Sequence, residues 1–234
     1  GKTAFALSLA LNAAVKGKAS VMVFSMEMAK EQLGQRLLSM ESKVPMQSLK
    51  TGKLERRDWD DINIALDILS KANIHIDDTA GINIMEMKSK CRRLKAEEGL
   101  DLIVIDYLQL MNPEGKADSR TQEISVISRN LKLLAKELNC PVLVLSQLSR
   151  APETRTDHRP MLSDLRESGS IEQDADIVIF LYRDEYYNED SEAHGECEVI
   201  VAKQRSGPTG TVKITWLDKL TKFVDSMGSS GPGF

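Results

Sequence analysis

The placement of apolar residues along the chain is its strongest structural signal. Four short runs, VMVF at 21–24, LIVI at 102–105, VLVL at 142–145 and IVIFL at 177–181, contain no polar alternation. Their length and β-branched content predict strands. The missing alternation predicts strands covered on both faces, as in a parallel sheet between helical layers. The segments between them have a different period. Ile84, Met87, Cys91 and Leu94 step by three and four. Ile124, Ile127, Leu131, Leu134 and Leu138 do the same and form one face of a helix about five turns long. Ser119 and Gln122 stand where a capping box would start that helix. Strand and helix in alternation predict an α/β fold with right-handed crossovers.

The last third changes character. ECEVIVAKQ and TVKITWL flank RSGPTG, a turn-forming stretch, and predict a β-hairpin to which KFVDS adds a strand. Residues 184–196, DEYYNEDSEAHGE, are acidic and short of aliphatic side chains, which predicts a solvated, mobile loop. Residues 1–225 are read as one domain and the tail at 226–234 as disordered. Trp59 and Trp216 are expected to pack, and Lys50 to Arg57 to form an exposed turn and helix start.

Composition narrows the function classes. With 234 residues, 41% apolar and 28% charged, the chain can bury one large core. Its longest apolar runs are four to six residues, too short to span a bilayer, and no charged-then-apolar leader is visible, so no membrane partner is expected. Cys91, Cys140 and Cys197 are odd in number and far apart, as expected of free thiols in a reducing cytoplasm rather than a disulfide or zinc framework. The three histidines form no cluster. A net charge of −4 argues against wrapping nucleic acid with the whole surface, so any such contact must be local.

Candidate chemistry then appears at the ends of the predicted strands. The chain opens GKTAFALSLALNAA. Gly1, Lys2 and Thr3 match the last three positions of the phosphate loop G-x-x-x-x-G-K-[ST], whose lysine reaches outer phosphates and whose hydroxyl holds Mg²⁺. The tripeptide alone is weak evidence; three further groups strengthen it. LIVIDY ends a strand in Asp106, a Walker B-like carboxylate. VMVFSMEM places Glu27 just past a strand, where a carboxylate can polarise a water. VLVLSQLSR places Gln147 past another, where an amide can sense a γ-phosphate. In open α/β sheets such strand ends are where ligands bind.

These blocks, with DLIVIDYLQLM, LSDLRESGSIEQDADIVIFLYR and KQRSGPTG, resemble the motor domain of the bacterial DnaB-type replicative DNA helicases from Gly1 to about Asp225. The resemblance implies a RecA-like P-loop NTPase fold, with a mostly parallel central sheet flanked by helices and a C-terminal hairpin. It implies an ATP- and Mg²⁺-dependent enzyme acting as a homohexamer that moves 5′ to 3′ on single-stranded DNA, with a primase and a helicase loader as partners. By position, Gly1, Lys2 and Thr3 would bind phosphates and Mg²⁺, Arg36 would line the nucleotide pocket, and Asp106 would hold the metal through water. Glu27 would be the catalytic carboxylate and Gln147 the link between γ-phosphate and DNA loops. Lys203 and Arg205 would act in trans on the neighbouring subunit's site. Arg166, Glu167 and Gly169 would sit on a pore loop tracking the DNA backbone, with a surface ion pair the plainer alternative for the first two. Arg150, Arg155 and Arg159, like Lys116 and Arg120, are candidates either for holding DNA or for a solvated loop. Relative to the family, the first part of the phosphate loop, the linker helix and the N-terminal domain do not precede Gly1, so weak association and weak nucleotide binding are expected of this chain. A RecA-like ATPase of recombination or repair, and a non-catalytic module that docks a primase or loader, are the alternatives.

Overall fold

The computed structural model describes residues 1–113 and 119–226, excluding the side chains of 166–168; Lys116 and the tail from 227 onward therefore lie outside the described residues. The first half alternates as the periodicity predicts. Helix α1 (Lys2–Val15) leads to β1 (Val21–Ser25), then α2 (Lys30–Ser42), α3 (Met46–Thr51), α4 (Arg56–Ser70) and β2 (Ile74–Asp77). Helix α5 (Ile84–Glu97), β3 (Leu102–Asp106), α6 (Arg120–Leu138) and β4 (Val142–Val144) follow. These strands form a parallel sheet in the order β2-β1-β3-β4, with Val23 beside Ile76 on one side and Val104 on the other.

Both faces of this sheet are covered, which explains the unbroken apolar runs. Met22, Phe24, Ile103 and Ile105 pack toward the predicted faces of α5 and α6, where Met87, Cys91 and Leu134 are fully buried. Val21, Val23 and Val104 pack on the opposite side against Leu7, Ala10 and Leu11 of α1 and Leu33 and Leu37 of α2. Ser119 caps α6 as expected, its hydroxyl accepting from the Gln122 amide at 3.3 Å.

After β4 come a short helix α7 (Ala151–Thr154), a 3₁₀ segment Leu162–Ser168 and helix α8 (Gly169–Asp174). An antiparallel sheet closes the chain, built from β5 (Ile177–Tyr182), β6 (Glu196–Gln204), β7 (Gly210–Leu217) and β8 (Lys222–Asp225) in sequential order. The hairpin and the added KFVD strand thus form where the sequence predicts them.

Three expectations need correction. IVIFL is not a strand of the parallel sheet: β5 pairs antiparallel with β6. Val178, Phe180 and Tyr182 are buried while Ile177 and Ile179 are exposed, so apolar residues on an outer face imitate a doubly covered strand. The fourth parallel strand is instead Ile74–Asp77, an edge strand of four half-buried residues too short and polar to stand out. Trp59 does not pack, being 55% exposed, because the buried face of α4 runs through Ile62 and Ala65. The stretch 184–196 has exposed side chains but also partners of its own. Tyr187 stacks on His158 at 4.6 Å, and Glu185 accepts from the Gly195 amide at 2.8 Å.

Asp164, buried ahead of α8, fixes the connection between the sheets. Its carboxylate accepts two hydrogen bonds from Arg155, at 2.6 and 2.9 Å, and one from the Met161 amide at 2.8 Å. The Arg155 guanidinium holds this carboxyl below the usual carboxylate range. Stability from a depressed carboxyl is present above its unfolded pKa of about 3.9 and is lost as pH falls through the folded value. Asp164→Asn is expected to cost about 3 kcal/mol in denaturant unfolding at pH 7. The difference from wild type should shrink once the pH falls below about 4. Leu134→Ala, in the α6 face, is expected to cost about 3 kcal/mol by the same measurement, at all pH values.

Candidate functional site

The site begins with the start of α1. Gly1 is the N-cap residue and offers no side-chain cap, so the first N–H groups of the helix take no hydrogen bond from a capping side chain. Such a terminus attracts anions through its aimed N–H groups and its dipole. The helix is held firmly. Ala4 and Phe5 pack against Phe223 and Trp216 of the antiparallel sheet, and the Ser8 hydroxyl accepts from the Phe223 amide at 3.1 Å.

The parallel strands deliver the acidic groups. β1 ends at Ser25, whose hydroxyl donates to the Met28 carbonyl at 2.7 Å and closes the turn that carries Glu27. The Met26 amide donates to the Asp106 carbonyl at 2.9 Å, which holds that turn beside the end of β3. Asp106 is only 3% exposed. Burial raises its carboxyl above the ordinary range, and Glu27 adds to the rise. A hydrogen bond from Thr3, with the charges of Lys2 and Arg36, works in the opposite direction. One oxygen of Asp106, Oδ2, is buried with no hydrogen-bond partner among the described residues.

A cavity of about 400 Å³ opens over these groups. Gly1, Lys2, Thr3, Glu27, Arg36 and Gln147, all singled out from the sequence, line it together. Its wall also includes Tyr107, Arg183, Trp216 and Thr221, which sequence reasoning did not assign to a site. Tyr107 directly follows Asp106, and Arg183 directly follows β5, so the strand-end rule could have found both. Trp216 was expected only to pack. It does pack, on Phe223 at 4.6 Å, with the Arg183 guanidinium 5.1 Å over its ring. Thr221 carried no signal.

Cations and a helix N-terminus on one wall, with hydroxyl and carboxylate oxygens beside them, suit a polyphosphate carrying a divalent cation. Thr3 and Asp106 are hard oxygen donors of the kind Mg²⁺ takes, directly or through water. The unpartnered Oδ2 of Asp106 is a buried acceptor such an ion or its water shell would satisfy, so the residues fit the group.

Other predicted residues lie elsewhere. Lys203 and Arg205 do not line this cavity. Lys203 Nζ donates to the carbonyls of Glu172 and of Ala175, the latter at 2.9 Å. Arg205 donates to the Gln173 carbonyl at 2.7 Å, with Asp176 3.6 Å away. Both cations therefore sit at the end of α8, as cations at a helix C-terminus do. Arg166 and Glu167 belong to the 3₁₀ segment and Gly169 begins α8, so their backbone is helical rather than an open loop; the first two side chains lie outside the described residues. Arg155 and Arg159 are committed to Asp164 and Glu198, and Arg159 also covers Tyr182 at 4.6 Å. The three cysteines are buried and free, with burial pushing Cys91 up to about 12 and Cys197 up to about 11, which leaves no reactive thiolate.

Known proteins resemble this chain in sequence and fold. The sequence profile of the DnaB-like helicase C terminal domain matches residues 1–225. The replicative DNA helicase DnaB of Geobacillus stearothermophilus is 55% identical over 226 residues, covering 96% of this chain and 50% of that protein. The replicative DNA helicase DnaC of Bacillus subtilis (strain 168) is 54% identical, with the same shares. The chain thus spans about half the length of these relatives. Among solved structures, one described as an ATPase domain superposes with a TM-score of 0.93 at 44% identity, over 96% of this chain and 80% of that one. A DnaB-like replicative helicase, described with its interactions with primase, gives 0.92 at 45%, over 95% of this chain and 54% of that one.

If the cavity holds a metal-bound polyphosphate, Lys2→Ala should weaken binding of a non-hydrolysable ATP analogue at least tenfold by calorimetry. Asp106→Asn should remove most of the Mg²⁺ dependence of that binding. Unchanged affinity in both variants would place the ligand elsewhere.

Proposed function

The chain belongs to the DnaB-like helicase C-terminal domain family, and from that premise we propose that it is the ATP-driven motor of a replicative DNA helicase. The observation that carries this is the meeting of Lys2, Thr3, Glu27 and Gln147 around one cavity, with the buried carboxylate of Asp106 under the influence of Thr3, Lys2 and Glu27. Recombination and repair ATPases share the Walker elements, but the relatives at 54–55% identity are replicative helicases.

ATP supplies the phosphoanhydride free energy and Mg²⁺ neutralises phosphate charge; the protein's part is positioning and electrostatics. Lys2 and the first N–H groups of α1 bind the outer phosphates. The Thr3 hydroxyl and the Asp106 carboxylate would hold the cation. Glu27 orients the attacking water and takes its proton on the carboxylate. Arg36 and Arg183 add positive charge to the wall. The Gln147 amide reads the far phosphate.

Lys203 and Arg205 stand at the turn end of β6, with their side chains on the end of α8, and we assign them to the neighbouring subunit's site in a homohexamer. A guanidinium supplied in this way is worth roughly 10³–10⁵ in rate. Single-stranded DNA is taken to thread the ring and be tracked 5′ to 3′ through its backbone by Arg166, Glu167 and Gly169. Six copies of a small contact suffice through avidity, which reconciles the ligand with a net charge of −4. Primase, a structural neighbour's partner, and a helicase loader are the proposed protein partners, and the cytoplasm is the proposed compartment. No helix among the described residues is long and apolar enough to cross a membrane.

The full-length protein is expected to displace the annealed strand of a forked duplex with a 5′ single-stranded arm, using ATP. Arg205→Ala should lower DNA-stimulated hydrolysis about 10³-fold. Mixing it with Lys2→Ala should restore part of the activity at hybrid interfaces. ATP hydrolysis without strand displacement, or a mixture as inactive as its parts, would count against the assignment.

A further inference from the structure

Gln147 lines not one cavity but two. The second, of about 380 Å³, is lined by Gln147 together with a different set of residues. Its walls are the segment Gln147–Ser149, the start of α6 at Arg120 and Thr121, and the pair Asp164 and Leu165. Gln147 therefore borders both volumes.

The Gln147 peptide is held mainly by the side chain of Gln109, with a weaker bond from Ser146 Oγ to the Gln147 carbonyl at 3.4 Å. Beyond β4 the strand ladder continues only as far as Leu145, which donates to the Ile105 carbonyl at 2.9 Å and accepts from the Leu108 amide at 3.0 Å. At Gln147 the side-chain amide of Gln109 takes over the role of a neighbouring strand. Gln109 Oε1 accepts from the Gln147 amide at 3.2 Å. Its Nε2 donates to Ser146 Oγ at 2.9 Å and, more weakly, to the Gln147 carbonyl at 3.4 Å. Gln109 is itself tied down, because its carbonyl accepts from the Arg120 guanidinium, which also pairs with Glu123. Two residues further on, the Ser149 amide donates to the Asp164 carbonyl at 3.0 Å. Asp164 is the third residue of the 3₁₀ segment Leu162–Ser168, which runs directly into Gly169.

We propose that Gln109 is a positioning residue. Its side-chain amide clamps the Gln147 peptide between the two cavities and couples the nucleotide cavity to the segment 162–169 through the Ser149–Asp164 hydrogen bond. The site is the one assigned above, and the coupling half of the proposal rests on that reading. The clamp is the right kind of part for the task. Three modest hydrogen bonds at a half-exposed position hold a peptide in place, yet they can exchange without disturbing the buried ladder beneath. The second cavity, which Gln147 also lines, gives the clamped peptide room for a second position, which a change at the nucleotide can favour only through a difference in contacts.

The test is amide hydrogen exchange on the full-length protein, wild type and Gln109→Ala, with and without a non-hydrolysable ATP analogue and Mg²⁺. Without ligand, exchange at Gln147 is expected to rise about tenfold in the variant, while that of β1 and β3 stays unchanged. With ligand, wild type should change its exchange across both 146–149 and 162–169. The variant should lose the change at 162–169 and keep its analogue affinity within about threefold, a split that a merely structural role would not produce. Gln109→Glu keeps the acceptor and loses the donor, so it should retain slow exchange at Gln147 and serves if the alanine variant does not fold. Unaltered ligand-free exchange at Gln147 in Gln109→Ala, fast exchange there in Gln109→Glu, or a ligand-induced change at 162–169 that survives the alanine substitution overturns the proposal. A wild-type protein that neither hydrolyses ATP nor displaces a strand would overturn the helicase assignment instead, and the ligand-free comparison would still decide the clamp.

Discussion

The burial of α1 between two sheets is the constraint on which the site depends. Its small residues let the helix lie close to the parallel sheet through Ala6, Ala10 and Ala14, while Ala4 meets Cys197 and Phe223 of the antiparallel sheet on another side. Ser8 binds the chain of β8 directly. A helix held from two directions cannot rotate or slide, so its uncapped N-terminus stays aimed at one place. Everything that the neighbouring strand ends contribute, from Glu27 to Asp106, is useful only because that point is fixed.

Charge is distributed with equal economy. The protein is acidic overall, yet three cations, Lys2, Arg36 and Arg183, line the cavity at the start of α1. Much of the remaining positive charge in the connecting region is spent internally: Arg155 on a buried carboxylate, Arg159 on Glu198 and the face of Tyr182. The arginine-rich stretch 150–159 is therefore in large part a structural brace between α7, the 3₁₀ segment and the antiparallel sheet. A polyanion approaching this surface meets few uncommitted guanidinium groups there.

The two cations at the hairpin have a different status. Lys203 and Arg205 are held by main-chain carbonyls at the end of α8 and by Asp176, which also pairs with Lys132 of α6. These are half-exposed contacts of modest worth. They join the hairpin to the helix that follows the segment assigned to DNA, so that the two proposed trans and DNA elements of one subunit are mechanically adjacent.

The parallel strands β1, β3 and β4, the buried faces of α5 and α6, the hairpin and most groups around the cavity were legible in the sequence. Each is set by local physics: unbroken apolar runs for doubly covered strands, three- and four-residue steps for helix faces, polar groups at strand ends. The sequence could not separate β5 from the parallel set, because apolar residues on an exposed face look the same as apolar residues in a core. It could not find β2, whose four residues become a strand only by pairing with β1. Arg183, Trp216 and Thr221 join the site from sequence positions far from Lys2, near the other end of the chain, and only the packing of α1 on the antiparallel sheet brings them there. Gln109 is the clearest case. It stands inside a recognisable motif, but its partner lies across the sheet, and a hydrogen bond between side chain and distant main chain has no period along the chain for a reader to detect.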